Sequence, residues 1–261
     1  MTQENVELKK TQMTRAVALE REATQLLIEQ QTQKAFEAYK RAGQAYEEAL
    51  EFDKASVCYA SAATCWNVLT GRQPLRNAAA CSELAAAAAF KAKHYEYARS
   101  LYRDAAIFYE DEGDYDKYTE CYLNNKLADR YHYWFIVAHP DHSFREKVES
   151  LYRLLLNIAG DMIWGYGEKP LRTFFAAAAL VFTAAIVYEM SGLVAFGSTI
   201  KGINFFEALY FSVVTFTTVG YGDYLPTGWI RIVSSLESLS GIILAPMFLI
   251  ALTRRYLRIN R

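Results

Sequence analysis

Two long apolar stretches in the last third of the chain constrain its fold more than any other feature. Residues 173–188 carry no charge and continue past Glu189 toward Phe196, and residues 232–252 form a second stretch interrupted only by Glu237. About 20 apolar residues suffice to cross a bilayer as a helix. Because lipid offers no hydrogen-bond partners to the backbone, each stretch is expected to be a membrane-spanning α-helix.

The segment between the two stretches has unusual backbone requirements. Residues 215–223 read Thr-Phe-Thr-Thr-Val-Gly-Tyr-Gly-Asp, and a short apolar helix is expected just before them, over residues 204–216. Consecutive carbonyl groups point the same way only where the backbone angles alternate in hand, and Gly220 and Gly222 accept a positive φ. Four such segments around an axis could surround a dehydrated cation with rings of oxygen atoms. An ordinary tight turn is the alternative, but the flanking apolar stretches disfavour it.

This motif resembles the selectivity filter of the two-transmembrane potassium channel family, whose usual Thr-Val-Gly-Tyr-Gly-Asp is present without substitution. The resemblance implies a homotetramer that conducts K⁺ passively, with no cofactor and no catalysis. The residues implied to bind K⁺ are Thr218, Val219, Gly220 and Tyr221, and the ion-binding segment ends at Gly222. The residues implied to support the filter are Thr217, Asp223, Tyr210 and Phe211.

Three residues of the second apolar stretch are candidates for further roles. Gly241 and Pro246 are interpreted as the hinge of the gate, since both residue types favour helix bending; alternatively, Gly241 allows close helix packing. Glu237 is an acid within a membrane span, which makes it a functional candidate. Alternatively, it is protonated or hydrogen-bonded to a hydroxyl group behind the pore helix.

Basic residues beside both stretches predict the orientation of the chain. Lys169 and Arg172 precede the first stretch, and the bases after the second are Arg254, Arg255, Arg258 and Arg261. Such residues mark the cytosolic side of a membrane protein, and the N-terminus lacks the apolar core of a secretory signal. We therefore expect a multi-pass protein of the cell (plasma or inner) membrane with both termini in the cytoplasm.

The first half of the chain contains an internal repeat. The pattern Ala-x3-Tyr-x2-Ala-[Ala/Gly]-x2-aromatic begins at Ala35, Ala55 and Ala98, and a degenerate copy begins at Ala78. One shift of 43 residues relates 35 to 78 and 55 to 98, so that the repeating unit is a pair of helices. Small residues at spacings of three and four let helices pack closely. This pattern predicts an α-solenoid.

The repeat resembles tetratricopeptide units and, more closely, the longer helical pairs of soluble NSF attachment proteins. The resemblance implies a face that binds a protein or peptide partner; alternatively, the solenoid stacks only against its own copies below the pore. Four cysteines lie here at spacings that fit no zinc or redox motif, and they are expected to be small buried residues: Cys58, Cys65, Cys81 and Cys121.

A polar turn and an amphipathic helix are expected between the repeat and the first apolar stretch. His139, Asp141 and His142 could bind a metal, but ligands so close around a proline make a poor cage. A polar turn with Ser143 as helix cap is the preferred interpretation. From Phe144 the apolar residues recur in steps of four and three, which suits packing against another helix or the membrane surface.

Together these features predict an all-α protein in three parts. They are a cytosolic helical-repeat domain over residues 1–131, a linker with a juxtamembrane helix over 132–170, and a two-transmembrane pore domain over 171–261. The predicted function is a potassium-selective channel regulated through the repeat domain, not an enzyme. The alternative is a membrane-anchored adaptor with a vestigial pore. A net charge of −1 gives no reason to expect a nucleic-acid partner.

Overall fold

The structure, a computed structural model, describes residues 3–67, 72–196, 199–200 and 202–259. The fold is all-α, as predicted, and the chain divides into two compact units, Met1–Asn157 and Ile158–Arg261. This division lies inside the predicted linker, and the three-part boundaries at residues 131 and 170 stay predictions. Arg261, one of the bases used to predict orientation, lies outside the described residues.

The first unit is a stack of antiparallel helices in which each helix packs against the next along the chain. Its helices are α1 (Gln3–Ile28), α2 (Thr32–Glu48), α3 (Phe52–Asn67), α4 (Arg72–Lys91), α5 (Tyr95–Glu112) and α6 (Tyr115–Ala138). The helix α7 (Phe144–Trp164) begins in this unit and continues past its end. The stacked helical pairs confirm the predicted α-solenoid.

The core of the first unit consists of the small and aromatic residues of the repeat. Its alanines are fully buried, and a Cβ atom at Gly43 would lie 2.7 Å from the ring of Tyr59. The tyrosine rings fill the space between helices, while their hydroxyl groups reach carboxylates near the surface, as in the bonds from Tyr59 to Glu47 (3.2 Å) and from Tyr109 to Glu83 (2.8 Å). Small residues therefore set the helix spacing and rings fill the gaps.

The four cysteines are reduced and buried, as expected. Burial raises the pKa of the Cys58 and Cys121 thiols to about 12 and that of Cys81 to about 11. The four side chains therefore stay neutral and pack as small apolar groups.

Ser143 caps α7 in the way the sequence predicts. The backbone N–H of Ser143 donates to the Glu146 carboxylate (2.9 Å), and the N–H of Glu146 donates to the Ser143 hydroxyl (3.3 Å). These hydrogen bonds lower the pKa of Glu146. His139 stacks on Phe135 at the end of α6, with 3.7 Å between the ring centroids. The residues around Pro140 therefore form a polar turn between two helices.

The second unit contains two long helices, one short helix and a small sheet. A single 3-10 turn at Gly165–Gly167 leads into α8 (Pro170–Ser191), which is followed by β1 (Val194–Phe196) and β2 (Thr199–Ile200). The chain continues through α9 (Phe205–Phe216), β3 (Tyr224–Pro226) and α10 (Ile230–Ile259). Within the described residues, Pro170–Ser191 and Ile230–Arg254 are the two helices long and apolar enough to cross a membrane.

The predicted continuation of the first span toward Phe196 is wrong. The helix α8 ends at Ser191 because Gly192 adopts a left-handed conformation (φ 61°) and the Ser191 hydroxyl donates to the Tyr188 carbonyl. Beyond it the chain pairs as β1, which lies between β2 and β3 in an antiparallel sheet with Val194 opposite Pro226. The 22 residues of α8 are still sufficient to cross a bilayer.

Candidate functional site

The short helix α9 positions the predicted filter. It begins with a capping box in which the Asn204 side chain accepts from the Glu207 N–H and the Glu207 carboxylate accepts from the Asn204 N–H, both at 2.9 Å. Ala208 and Phe211 bury one face of the helix. The helix ends at Phe216, so that its C-terminal carbonyl groups, which carry partial negative charge, precede the filter directly.

The filter segment, defined here as residues 217–223, has a backbone that alternates in hand. Thr218, Gly220 and Gly222 have positive φ values of 59°, 58° and 78°, and the two residues between them do not. The alternation at the glycines follows the sequence-based expectation, whereas the left-handed Thr218 was not anticipated. A residue with a Cβ atom pays about 1–2 kcal/mol for this conformation, so the surrounding contacts must hold Thr218 in place.

Hydrogen bonds to the last turns of α9 hold the start of the filter segment. The N–H groups of Val219 and Gly220 both lie within bonding distance of the Val214 carbonyl, at 3.1 and 3.4 Å. The Thr218 N–H donates to the Thr215 carbonyl at 3.0 Å, and the Thr217 hydroxyl donates to the backbone of the same helix. The conformation of the segment therefore depends on the position of α9.

The helix α10 packs directly against the end of α9. The Ser238 hydroxyl donates to the Thr215 carbonyl at 2.9 Å, and a Cβ atom at Gly241 would lie 1.9 Å from the Phe216 carbonyl oxygen. Only glycine fits at this crossing, which favours the close-packing alternative for Gly241. Pro246 lies within α10, which is assigned as one helix from Ile230 to Ile259. The hinge role of the two residues stays a prediction.

Glu237 lies one residue before Ser238 and is almost completely buried, with 3% of its surface exposed. Its carboxyl group contacts the hydroxyl groups of Ser212 on α9 and Tyr188 on α8. This is the hydroxyl contact behind the pore helix that the sequence left as an alternative. The Glu237 side chain, on α10, thus connects α8, α9 and α10.

Aromatic residues surround the far end of the filter segment. Asp223 accepts a hydrogen bond from the Tyr224 N–H at 3.0 Å and interacts with the Tyr210 hydroxyl. The ring of Tyr224 lies edge-on to Tyr210, with 5.9 Å between centroids, and also lies near Phe211. Tyr224 was not among the residues predicted from the sequence, since its place directly after the motif gave no signal of this role.

The second unit exposes large apolar side chains in a pattern unlike that of a soluble domain. Val219 and Tyr221 of the filter segment are 52% and 71% exposed, and α8 and α10 expose further apolar residues such as Phe175 and Ile232. Extensive apolar surface of this kind marks contact with lipid or with other protein chains. Within the described residues, no group of three or more His, Cys, Asp and Glu side chains is placed to hold a metal ion.

Comparison with known proteins agrees with this geometry. Residues 175–258 match the protein family described as "Ion channel". The second unit is therefore similar to ion-channel domains over most of its length. Such a domain implies a membrane protein that assembles from several copies and contacts lipid.

A curated relative supports the same assignment over a short stretch. "Probable potassium channel protein 2" of Methanocaldococcus jannaschii is 62% identical over 29 residues, which cover 11% of this chain and 8% of that protein. The chain therefore matches less than a tenth of the length of this relative. No solved structure shows a significant match to the chain.

Proposed function

We propose that the protein is a homotetrameric, potassium-selective channel that conducts K⁺ passively. The observation that carries this proposal is the alternating backbone of the filter segment, with left-handed residues at Thr218, Gly220 and Gly222. In a sequence that reads Thr-Val-Gly-Tyr-Gly, this alternation suits a stack of carbonyl rings. The filter segment lies between the end of the short helix α9 and the start of the long apolar helix α10.

In this proposal K⁺ exchanges water for protein oxygens one step at a time. The carbonyl groups of Thr218, Val219, Gly220 and Tyr221 replace the hydration shell, and repulsion between neighbouring ions offsets tight binding. The partial negative charge at the C-terminus of α9 favours a cation nearby. One chain supplies one side of each ring, which is why four copies are required. Tyr210, Phe211 and Asp223 would brace the segment from behind.

The location and orientation follow from the same proposal. The channel lies in the cell membrane with α8 and α10 spanning it and both termini in the cytoplasm, because bases flank the outer ends of the two spans. The face of the second unit that contains β1 and β3 then lies outside the cell.

Replacement of Gly222 by aspartate tests the filter. Gly222 has a φ of 78°, which L residues with a side chain rarely adopt, so Gly222→Asp is expected to abolish K⁺ flux in liposomes while the tetramer still forms. Gly202→Asp is the matched control, because Gly202 has no positive φ and an added Cβ atom there would meet nothing within 4 Å. Undiminished K⁺ flux through the Gly222→Asp protein would contradict the proposal.

Regulation through the helical-repeat unit is the second part of the proposal. A groove of about 960 Å³ lies at the start of α5 and beside α6, and its lining includes the bases Lys93, Arg99 and Arg103 and the acid Glu96. Arg99 also pairs with Asp129 (3.1 Å) and Arg103 with Asp104 (3.7 Å), so that Lys93 is the one of these three bases that forms no ion pair within the described residues. Three histidines add to this lining: His94, His132 and His142. A small anionic ligand could bind here by exchanging with these surface ion pairs, whereas a protein or peptide partner would use a larger face of the solenoid.

Flux measurements on the full-length protein test this regulation. Inorganic phosphate, pyrophosphate and nucleoside triphosphates are added in turn to channels in liposomes, and one of them is expected to change the K⁺ flux of the wild type but not of Arg103→Glu. Lys40→Glu, on α2 and away from the groove lining, serves as the control variant. Identical responses of the wild type and Arg103→Glu to every probe would contradict the proposal. A tetramer that never conducts would favour the adaptor function.

A further inference from the structure

Three close oxygen–oxygen contacts meet at Glu237 and Ser212. The Ser212 hydroxyl lies 2.9 Å from the Val181 carbonyl oxygen of α8 and also contacts one oxygen of the Glu237 carboxyl group. The other carboxyl oxygen lies 2.5 Å from the Tyr188 hydroxyl. Ser212 and Tyr188 have no exposed surface and Glu237 has 3%, so the cluster is closed to solvent within the second unit.

Counting hydrogen atoms in this cluster favours a protonated Glu237. Each separate, near-linear hydrogen bond has one hydrogen atom between its two oxygens. The two hydroxyl groups supply one hydrogen each, and the carbonyl oxygen of Val181 supplies none. Three contacts therefore need a third hydrogen, and the carboxyl group of Glu237 is the remaining group that can carry it.

The surroundings of Glu237 agree with a neutral side chain. It borders an open groove of about 420 Å³ between α8 and α10 whose other lining residues are alanine, leucine, valine, threonine and serine, with no base among them. Of the described titratable side chains on α8, α9 and α10, Tyr188 is the one that contacts the carboxyl group, and it carries no positive charge. A carboxylate without a cation partner is costly to bury, whereas a hydrogen-bonded carboxylic acid is not.

We propose that Glu237 is a neutral carboxylic acid whose hydrogen bonds hold the pore helix α9 between α8 and α10. Through Ser212 it fixes the middle of α9, and one residue later Ser238 fixes the end of α9 at the Thr215 carbonyl. The filter segment starts at that end, so Glu237 acts as a positioning residue for the filter. This role rests on the proposed channel function, but the protonation state does not.

Infrared spectroscopy tests the protonation state directly. The protein is purified in a detergent without ester groups and measured at neutral pH, where exposed carboxyl groups are ionised. The wild type is expected to show the carbonyl stretching band of a protonated carboxylic acid, and Glu237→Gln is expected to lose it. Glu189→Gln, which changes an exposed acid at the end of α8, should keep the band. A wild-type spectrum without this band would overturn the proposal.

Flux measurements test the positioning role with two variants of Glu237. The amide of Glu237→Gln can supply the third hydrogen and accept from Tyr188, so its K⁺ flux should match the wild type. Glu237→Met has a similar shape but leaves Tyr188 without a partner, and its flux should fall about tenfold, the loss expected for one unmade buried hydrogen bond. Wild-type flux and selectivity in Glu237→Met would overturn the positioning role.

A variant of Tyr188 covers the case in which the Glu237→Met protein does not assemble. Tyr188→Phe removes the hydrogen bond to Glu237 and almost no volume. A reduced K⁺ flux through this variant would support the positioning role of Glu237, and an unchanged K⁺ flux would contradict it. Failure of the channel function itself is recognised separately, because a wild type without K⁺ flux can still show the infrared band of Glu237.

Discussion

At the scale of single residues, backbone conformation limits which side chains the filter segment accepts. Gly220 and Gly222 can adopt a positive φ at no steric cost, but Thr218 adopts one (φ 59°) although it carries a branched side chain. The N–H of Thr218 and the next two N–H groups all bond to carbonyls of α9. These bonds hold Thr218 in its strained conformation, as surrounding contacts do for strained residues at functional sites.

Cysteine reactivity gives a prediction at the same scale. Because burial raises the pKa of Cys58, Cys81 and Cys121 to between about 11 and 12, the reactive thiolate is scarce at pH 8. A maleimide reagent should label the native protein slowly and should label all four cysteines after denaturation. The labelled sites are read by mass spectrometry. Rapid labelling of the native protein at these positions would show that the solenoid core is open.

At the scale of helices, α9 is the element that both α8 and α10 contact. Glu237, Ser238 and Gly241 lie within five residues of α10, and all three contact α9 or its C-terminal carbonyl groups. The helix α8 contributes Tyr188 from the other side. A change in the position of α10 would therefore act on the start of the filter segment through these contacts.

Substitution of Gly241 tests the helix crossing. A Cβ atom there would lie 1.9 Å from the Phe216 carbonyl oxygen, and backbone atoms cannot move aside cheaply. Gly241→Ala is therefore expected to destabilise the protein in detergent by about 1–3 kcal/mol, the usual cost of overpacking. Ser240→Ala, at the preceding half-buried position of α10, should change the unfolding temperature little. Equal stability of the two variants would refute close packing at Gly241.

At the scale of the whole molecule, the two units are built on opposite principles. The first unit buries alanine and tyrosine where its helices contact one another. The second unit turns large apolar side chains outward and buries its polar residues, among them Glu237, Ser212 and Thr173. The exposed apolar surface of the second unit suits contact with lipid or with other protein chains.

Features set by periodicity and length could be predicted from the sequence. The repeat of Ala35, Ala55 and Ala98 predicted the stacked helices, and the length of the apolar stretches predicted α8 and α10. The two glycines of the motif predicted alternation in the filter segment. In these cases the signal lies within a short window of the chain, where residue type alone fixes the local conformation.

Features set by distant contacts could not be predicted. The helix α8 ends where β1 pairs with β3, and Tyr188 meets Glu237 across 49 residues of chain. These contacts depend on how elements pack together, which local patterns do not encode.

The comparison of K⁺ and Na⁺ flux in liposomes that contain only the purified wild-type protein tests the central claim most directly. Carbonyl rings of fixed spacing replace the hydration shell of K⁺ better than that of Na⁺. We predict that a K⁺ gradient drives rapid flux through the tetramer and that an equal Na⁺ gradient drives almost none. Equal fluxes of the two ions, or no flux of either, would contradict the account.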